Sequence, residues 1–468
     1  MIRIEKKDVI WNYIGHFFSV AGGFMVLPFV LKKMGTEEIA LYYIFLAVAS
    51  FVQLVDFGFS AQFHRNISYV FSGAEKLKKE GIGEYNTNGK INYRLLSVIV
   101  KLTKKTYLYL ALFAFLLMIS VGTFYIYKVT QGFDLIDNIL YVWVLFSVST
   151  VLNIYYEHYN IILIGKGCIQ EAKKATVVSK ILSIILSIIF LFLGLGLFGI
   201  VLSNFIAPFA NRWLAYNYLF TKEFKQKINI PIERKNILEM FGIIWYNTKK
   251  VGLSIAAIFV TTKFSIFLVG LYLPKSEVAS YGLAIQVVGI ISMVATTFFS
   301  TYQPIYAKYR LENNKESLLK VFALGIYVFV MIFSVGSLSF LLLGDFFLGY
   351  IKSNASLPSM GILVLLLVVT FFNNLQILFC SFIFSENKLP YINSMIITSV
   401  FILIGSFFVL KYTNLGVLGL ILVQGVCESV YSNWRWIHFV LKDLGVSLRG
   451  FIVTGNNEVL RKVKNKYL

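Results

Sequence analysis

Residues 245–273 read WYNTKKVGLSIAAIFVTTKFSIFLVGLYL. From position 251 to position 273 the stretch is apolar and long enough to cross a bilayer, because an α-helix needs about 20 residues to span the hydrocarbon core. Lys263 lies near the middle of this segment. A lysine at that depth costs about 2.5–3.5 kcal/mol on insertion scales, so we expect it to face a partner or a water-filled cavity. The stretch therefore predicts a membrane span with a cationic inner face.

The helical period extends this cationic face along the segment. At about 3.6 residues per turn, one narrow stripe contains Trp245, Lys249, Gly252, Ala256 and Lys263. The stripe has cations at its mouth and at mid-depth, with small residues between them. We interpret it as one wall of a cavity that can hold a negatively charged molecule.

The composition indicates a multi-pass membrane protein. Of 468 residues, 58% are hydrophobic and 14% are charged, against about 45–50% and about 25% in soluble domains. The net charge of +20 comes largely from lysines that flank apolar runs, which favours membrane topology and anionic lipid over nucleic acid as the explanation. The three cysteines form no metal or redox motif, so no metal centre is predicted.

The apolar runs predict an all-α integral membrane fold with about 12 transmembrane helices. They lie near 10–31, 40–61, 107–127, 138–164, 176–194, 197–219, 251–272, 278–303, 320–343, 359–384, 390–410 and 415–438. Most of the 43 Lys and Arg residues fall in alternate connections, which predicts that both termini are cytoplasmic. The stretch 65–105 ends in the amphipathic run LLSVIVKLTKKTY, which we interpret as a cytoplasmic loop leading to an interfacial helix.

The two halves of the chain repeat. GTEEIALY (35–42) aligns with PKSEVASY (274–281), and LGLFGIVL (195–202) aligns with LGVLGLIL (415–422). Parallel six-span repeats predict two pseudo-symmetric lobes around a central cavity. The predicted boundaries are an N-terminal lobe at 1–220, a cytoplasmic linker at 221–250, a C-terminal lobe at 251–440 and a basic cytoplasmic tail at 441–468.

The segment LKKMGTEEIALYYIFLAVASFVQLVDFGFSAQFHR (31–65) resembles Wzx-type O-antigen and capsular polysaccharide flippases. The resemblance rests on a Gly-acidic turn, an Asp-x-Gly pair and a following arginine, and it extends to VGLYLPKSEVASYGLA (269–284). These signatures belong to the wider MATE-like (MOP) exporter superfamily. The resemblance implies two six-helix lobes around a V-shaped cavity. It also implies alternating-access transfer of an undecaprenyl-diphosphate-linked oligosaccharide to the outer leaflet of a bacterial inner membrane, beside a glycan polymerase and chain-length proteins.

Five polar residues are candidate contacts for the diphosphate or the cavity: Lys263, Lys249, Lys250, Asn153 and Asn374. For Lys263, the alternative is an ion pair with an acid on a neighbouring helix. For Lys249 and Lys250, the alternative is the ordinary enrichment of cations at the cytoplasmic end of a span. Arg212 and Arg435 each precede a tryptophan at the end of a span, a pattern that predicts interface anchors.

A second group of titratable residues are candidates for ion coupling or internal ion pairs: Glu157, Glu428, Asp56, His16 and Arg65. Burial favours the neutral form of a carboxyl group, so Glu157 and Glu428 could carry protons or neutralise Lys263. Asp56 and Arg65 could pair locally. Many members of this family have an acidic residue where Thr262 and Lys263 stand here, so coupling to H⁺, to Na⁺ or to no ion remains open, and no other cofactor is expected.

Two competing functions share the polytopic pattern. A MATE-type exporter of small cationic drugs is disfavoured because a cationic lumen would repel its substrates. A membrane polymerase or glycosyltransferase is disfavoured because the sequence contains no nucleophile motif, metal cluster or Gly-rich phosphate loop. We therefore interpret the chain as a flippase, not an enzyme; the glycan, from O-antigen lipopolysaccharide or capsule, remains open.

Overall fold

The computed structural model describes residues 6–79, 90–302, 305–306, 309–310, 312, 314–384 and 390–464. The secondary-structure elements of these residues are all helical. The predicted all-α membrane fold is therefore confirmed.

The chain divides into two compact units, unit 1 at Met1–Ala256 and unit 2 at Ala257–Leu468. The helices of unit 1 are α1 Lys6–Lys33, α2 Thr36–Gln53, α3 Phe59–Phe71, α4 Tyr93–Val129, α5 Ile139–Gly165, α6 Ile169–Phe192, α7 Gly196–Leu219 and α8 Lys222–Ile228. Helix α9, Arg234–Tyr272, begins in unit 1 and ends in unit 2. The helices of unit 2 that follow are α10 Lys275–Thr301, α11 Lys315–Ile351, α12 Met360–Phe384, α13 Ile392–Tyr412, α14 Gly416–Cys427, α15 Asn433–Leu444 and α16 Leu448–Lys464.

Nine helices in the described part of the chain are long and apolar enough to cross a membrane. The remaining predicted spans fall on α1, on α7 and on α14 with α15, which are also helical. Two of the long helical segments contain a π turn, at Met118–Gly122 within α4 and at Glu428–Ser432 between α14 and α15. Such turns insert one residue and change which side chains face a neighbour, and they are frequent at functional sites.

The internal repeat is visible as an equivalent turn in each unit, which we call the shared turn. In unit 1, Glu38 Oε1 accepts a hydrogen bond of 2.9 Å from the backbone N–H of Leu197, at the start of α7. In unit 2, Glu277 Oε2 lies 3.5 Å from the position that a Cβ at Gly416 would take. Gly196 and Gly416 both have positive φ, +49° and +52°, which glycine adopts without steric cost. The repeated sequence therefore forms a similar turn in each unit.

The predicted interfacial helix after residue 93 is wrong. Its residues form the first turns of α4, which continues to Val129. Leu96, Ile99 and Tyr107 are fully buried in the core of unit 1. Their spacings of three and eight residues give one apolar face, and that face packs against protein instead of lying on a bilayer surface.

Two predicted polar segments contain ordered helices. In the predicted linker 221–250, Phe224, Met240 and Ile244 belong to the hydrophobic core of unit 1. In the predicted tail 441–468, Phe451 of α16 packs its ring against Phe322, with ring centroids 5.3 Å apart. The segments are therefore parts of the helical units rather than extended connections, and the lobe boundaries stay a prediction.

Candidate functional site

A polar pocket of about 400 Å³ lies within unit 1, among α2, α5, α6 and α7. We call it the unit 1 pocket and define it by the six side chains that decide its chemistry: Asn153, Glu157, Lys173, Lys180, Asn211 and Arg212. Three of these are cations and one is an acid. Ionisable side chains are rare on membrane-spanning helices and usually mark functional sites.

Arg212 is the most buried cation of the unit 1 pocket, with 7% of its surface exposed. Its Nη2 donates a hydrogen bond of 2.9 Å to Asn153 Oδ1. The guanidinium carbon lies 4.9 Å and 4.5 Å from the ring centroids of Tyr156 and Phe209. In the described part of the chain, Nε and Nη1 have no hydrogen-bond partner. The two rings and one amide thus hold the charge without neutralising it.

The interpretation of Arg212 as an interface anchor is therefore wrong. Trp213, its neighbour, is 67% exposed and fits that role. In unit 2 the pattern is reversed, because Arg435 is exposed and Trp436 is buried. Arg435 lies three residues further from the shared turn than Arg212 does, and the π turn at Glu428–Ser432 directly precedes its helix, α15. The matching dipeptides therefore point to different sides of their helices.

Lys173 and Lys180 lie seven residues apart on α6, which places them two turns apart on one face. The described residues provide neither lysine with a hydrogen bond or a salt bridge. The stem of Lys173 packs against Gly15, where a Cβ would lie 2.9 Å from the lysine Cδ. Glu157, the acid of the pocket, accepts a hydrogen bond of 3.4 Å from Asn160 Nδ2. Sequence reasoning missed both lysines because it counted them as flanking charges; their seven-residue spacing was the available signal.

Unit 2 contains a smaller polar site around Glu428. This carboxylate is 1% exposed, and its Oε1 accepts hydrogen bonds of 2.8 Å from Asn373 Nδ2 and 3.0 Å from Gln424 Nε2. Its Oε2 has no partner among the described residues. Glu428 borders a cavity of about 20 Å³, which matches a single water-sized molecule.

Lys263 lies in the unit 2 part of α9 and is half-buried. Within unit 2, its amine has no hydrogen-bond or ion-pair partner among the described residues. Glu428, one of the two acids considered as its partner, binds Asn373 and Gln424 instead. Asn374, predicted to line the cavity, donates a hydrogen bond of 2.8 Å to Ser292 Oγ.

The N-terminal part of the predicted cationic stripe, from Trp245 to Gly252, is packed against protein rather than open to a cavity. The ring centroid of Trp245 lies 6.1 Å from that of Phe57. At Gly252, a Cβ would lie 2.3 Å from the Phe57 ring, so only glycine allows this approach. Lys249 is exposed, and its amine lies 5.6 Å from the ring centroid of Tyr246. The side chain of Lys250 lies outside the described residues.

The other titratable candidates of unit 1 are separated by the structure. Asp56 Oδ2 accepts hydrogen bonds from the backbone N–H and the hydroxyl of Ser60, and Oδ1 accepts one from the Tyr107 hydroxyl. Arg65 Nη2 donates a hydrogen bond of 2.7 Å to Gln62 Oε1, so Asp56 and Arg65 do not pair. Helix α1 includes His16, whose side chain lies outside the described residues.

Metal ligands are not clustered in the described residues: no group of three His, Cys, Asp or Glu side chains could hold a metal ion there. The polar sites described above are thus a cationic pocket in unit 1, and a carboxylate cluster and a single lysine in unit 2. All three suit binding and charge compensation.

No known protein-family model matches the chain, and no curated protein matches it. Solved structures do. An inward-facing multidrug resistance MATE family transporter of the MOP superfamily superposes with a TM-score of 0.67 at 14% identity, over 94% of this chain and 99% of that chain. The fold is MATE-like.

The MATE-like fold also includes a flippase and a second multidrug transporter among its solved relatives. Lipid II flippase MurJ in an inward closed conformation gives a TM-score of 0.61 at 12% identity, over 97% of this chain and 91% of that one. The MATE multidrug transporter DinF-BH gives a TM-score of 0.59 at 15% identity, over 95% of each chain. Since one fold hosts both kinds of transporter, the likeness shows the fold and does not assign a function to this chain.

Proposed function

We propose that the chain is a flippase that moves an undecaprenyl-diphosphate-linked oligosaccharide from the cytoplasmic to the outer leaflet of a bacterial inner membrane. The observation that carries this proposal is Lys263, a half-buried lysine far inside α9 that has no acidic partner within the described residues of unit 2. An unpaired cation at membrane depth is costly. It is accounted for when the transported molecule brings the negative charge.

The physical problem in flipping such a lipid is its diphosphate. Moving this group through hydrocarbon removes its water, and cations have to replace that hydration. In the proposed path the diphosphate meets Lys249 and Lys250 near the cytoplasmic end of α9 and then Lys263, about 20 Å further along the helix. The isoprenoid tail stays in the bilayer, and no covalent bond is formed or broken.

The proposal includes an orientation, partners and a coupling site. Both termini are cytoplasmic, and the lobes are 1–220 and 251–440, with a linker at 221–250 and a basic tail at 441–468. A glycan polymerase and chain-length proteins use the product. Glu428, with one carboxylate oxygen unpartnered in the described part of unit 2, is the favoured residue for H⁺ or Na⁺ coupling, and Glu157 is the second. Asn153 and Asn374 are proposed as polar contacts along the path.

The experiment is a surface-glycan complementation assay in which membrane abundance of each variant is also measured. Lys263→Ala and Lys263→Glu lose activity at normal abundance, whereas Lys263→Arg keeps part of it because it keeps the charge. Lys352→Glu is the matched control, since Lys352 is exposed after the end of α11. Full glycan export by Lys263→Glu would contradict the proposal.

A further inference from the structure

We propose that the unit 1 pocket is an anion site that binds a phosphate or diphosphate group. This inference goes beyond Lys263, because the cations of this pocket lie on other helices of unit 1. It rests on the proposed function only for the identification of the anion as a lipid headgroup; the binding of the anion itself stands on the pocket.

The first argument is an uncompensated buried charge. Arg212 lines the pocket, and 93% of its surface is buried (7% exposed). It forms no salt bridge with an acid in the described residues. Its one hydrogen-bond acceptor is the neutral amide of Asn153. A buried charge without a counter-charge costs several kcal/mol. A bound anion would therefore supply the counter-charge for Arg212 that the described residues do not provide.

The second argument is the arrangement of the remaining charges. Lys173 and Lys180 add two cations on one face of α6, about 10 Å apart along the helix axis. Glu157 is the acid among the lining residues, so the lining has an excess of positive charge. Asn211 donates a hydrogen bond of 3.4 Å to Thr176 Oγ1. Its amide and that of Asn153 add neutral polar groups to the same wall.

The chemistry of the cations selects the class of anion. A guanidinium matches phosphate and carboxylate oxygens in a planar fork, and lysine amines bind phosphate as point charges. A set of one guanidinium and two spaced amines suits a group with charge on two centres, as in a diphosphate. A volume of about 400 Å³ is in the range of small-molecule sites, about 300–1,000 Å³, and admits this group.

The experiment measures binding to the purified full-length chain in detergent. The probes are inorganic pyrophosphate, geranyl diphosphate and uncharged geraniol. Wild-type protein is expected to bind a diphosphate probe more weakly as salt rises, and not to bind geraniol. Tighter binding of geranyl diphosphate than of pyrophosphate identifies a lipid headgroup as the ligand, and equal binding identifies the free anion. Absence of binding to both diphosphates would overturn the proposal.

Variants locate the binding in this pocket. Arg212→Gln is expected to weaken diphosphate binding by about tenfold or more, because hydrogen bonds to a charged group are lost. Arg435→Gln, which changes the exposed arginine of the matching dipeptide, is the control and leaves binding unchanged.

A further variant remains informative if Arg212→Gln does not fold. Asn153→Asp places a carboxylate at the atom that now accepts the Arg212 hydrogen bond, so it supplies the missing counter-charge internally. It is expected to raise the melting temperature and to lower diphosphate binding. A folded Asn153→Asp protein that binds diphosphate as tightly as wild type would overturn the proposal. The Lys263 complementation assay is a separate readout, so failure of one proposal is distinguishable from failure of the other.

Discussion

An ionisable side chain without a salt-bridge partner is the feature that Arg212, Lys263 and Glu428 share. Each lies on a helix of the membrane-embedded fold, and none forms a salt bridge within the described residues of its own unit. Arg212 and Glu428 are held by neutral amides instead. Charges kept at this cost are expected to serve ligand or ion binding. We therefore propose these residues as the places to test for ligand or ion binding.

His64 gives a pH-dependent prediction outside the membrane spans. Its Nε2 is buried and has no partner in the described part of the chain, and burial lowers the pKa of the imidazole from 6.5 to about 4. Between these values the unfolded state binds more protons than the folded state. The stabilising effect of neutral His64 is therefore complete above pH 6.5 and is lost as the pH falls toward 4.

The measurement is the melting temperature of the purified chain at pH 7 and at pH 5. Wild type is expected to lose more stability between these pH values than His64→Gln does. His438→Gln, which changes an exposed histidine, keeps the wild-type dependence. An equal loss for His64→Gln and wild type would show that His64 is not responsible.

At this scale the sequence was only partly informative. Lys263 could be found because the sequence alone shows that it lies near the middle of a long apolar segment. Arg212 was missed because its burial depends on the rotation of α7 against α5, where Asn153 and Tyr156 meet it. The neighbouring Trp213 gave the opposite signal. Contacts between helices that are distant in sequence cannot be read from local spacing.

Among the helices, α9 shows how packing changes the meaning of a sequence pattern. Its predicted stripe begins with Trp245 and Gly252, and both pack against Phe57. In the C-terminal part of the stripe, Lys263 has no ion-pair partner among the described residues of unit 2. The error about the start of α4 has a related cause, because an amphipathic face suits packing against protein as well as a membrane surface. Hydropathy located the long apolar helices, but it could not tell which partner covers an apolar face.

Two glycines of α9 provide a matched pair for this element. Gly252→Ala is expected to destabilise the chain by about 1–3 kcal/mol, because the new methyl group overlaps the Phe57 ring. Gly242→Ala is expected to stabilise it by about 0.5–1 kcal/mol, because open space surrounds that position and alanine favours helix. Denaturant unfolding of both proteins in detergent measures the difference. A Gly252→Ala protein as stable as Gly242→Ala would contradict the close packing.

For the whole molecule, the two units share a turn but differ in charge. Each has a glutamate near the positive-φ glycine that begins a helix, Glu38 with Gly196 and Glu277 with Gly416. Beyond this turn, unit 1 carries a cationic pocket and unit 2 carries the Glu428 cluster. The turn is therefore common to both units, whereas the polar sites beyond it, including Lys263 of unit 2, differ between them.

The predicted topology can be tested by labelling the whole chain in intact cells. In a background with the three native cysteines replaced, Lys352→Cys is expected to react with a membrane-impermeant maleimide from outside. Lys225→Cys is expected to react only after permeabilisation, since the excess of Lys and Arg marks the cytoplasmic side. Labelling in the reverse order would overturn the orientation with both termini inside.

The most direct test of the central claim is transport by the purified chain in proteoliposomes. The measured quantity is the rate at which a fluorescent prenyl-diphosphate-linked oligosaccharide moves between leaflets, with a cationic dye as the competing substrate. We predict that wild type moves the lipid, that Lys263→Glu does not, and that neither moves the dye. Transport of the dye without transport of the lipid would contradict the flippase account.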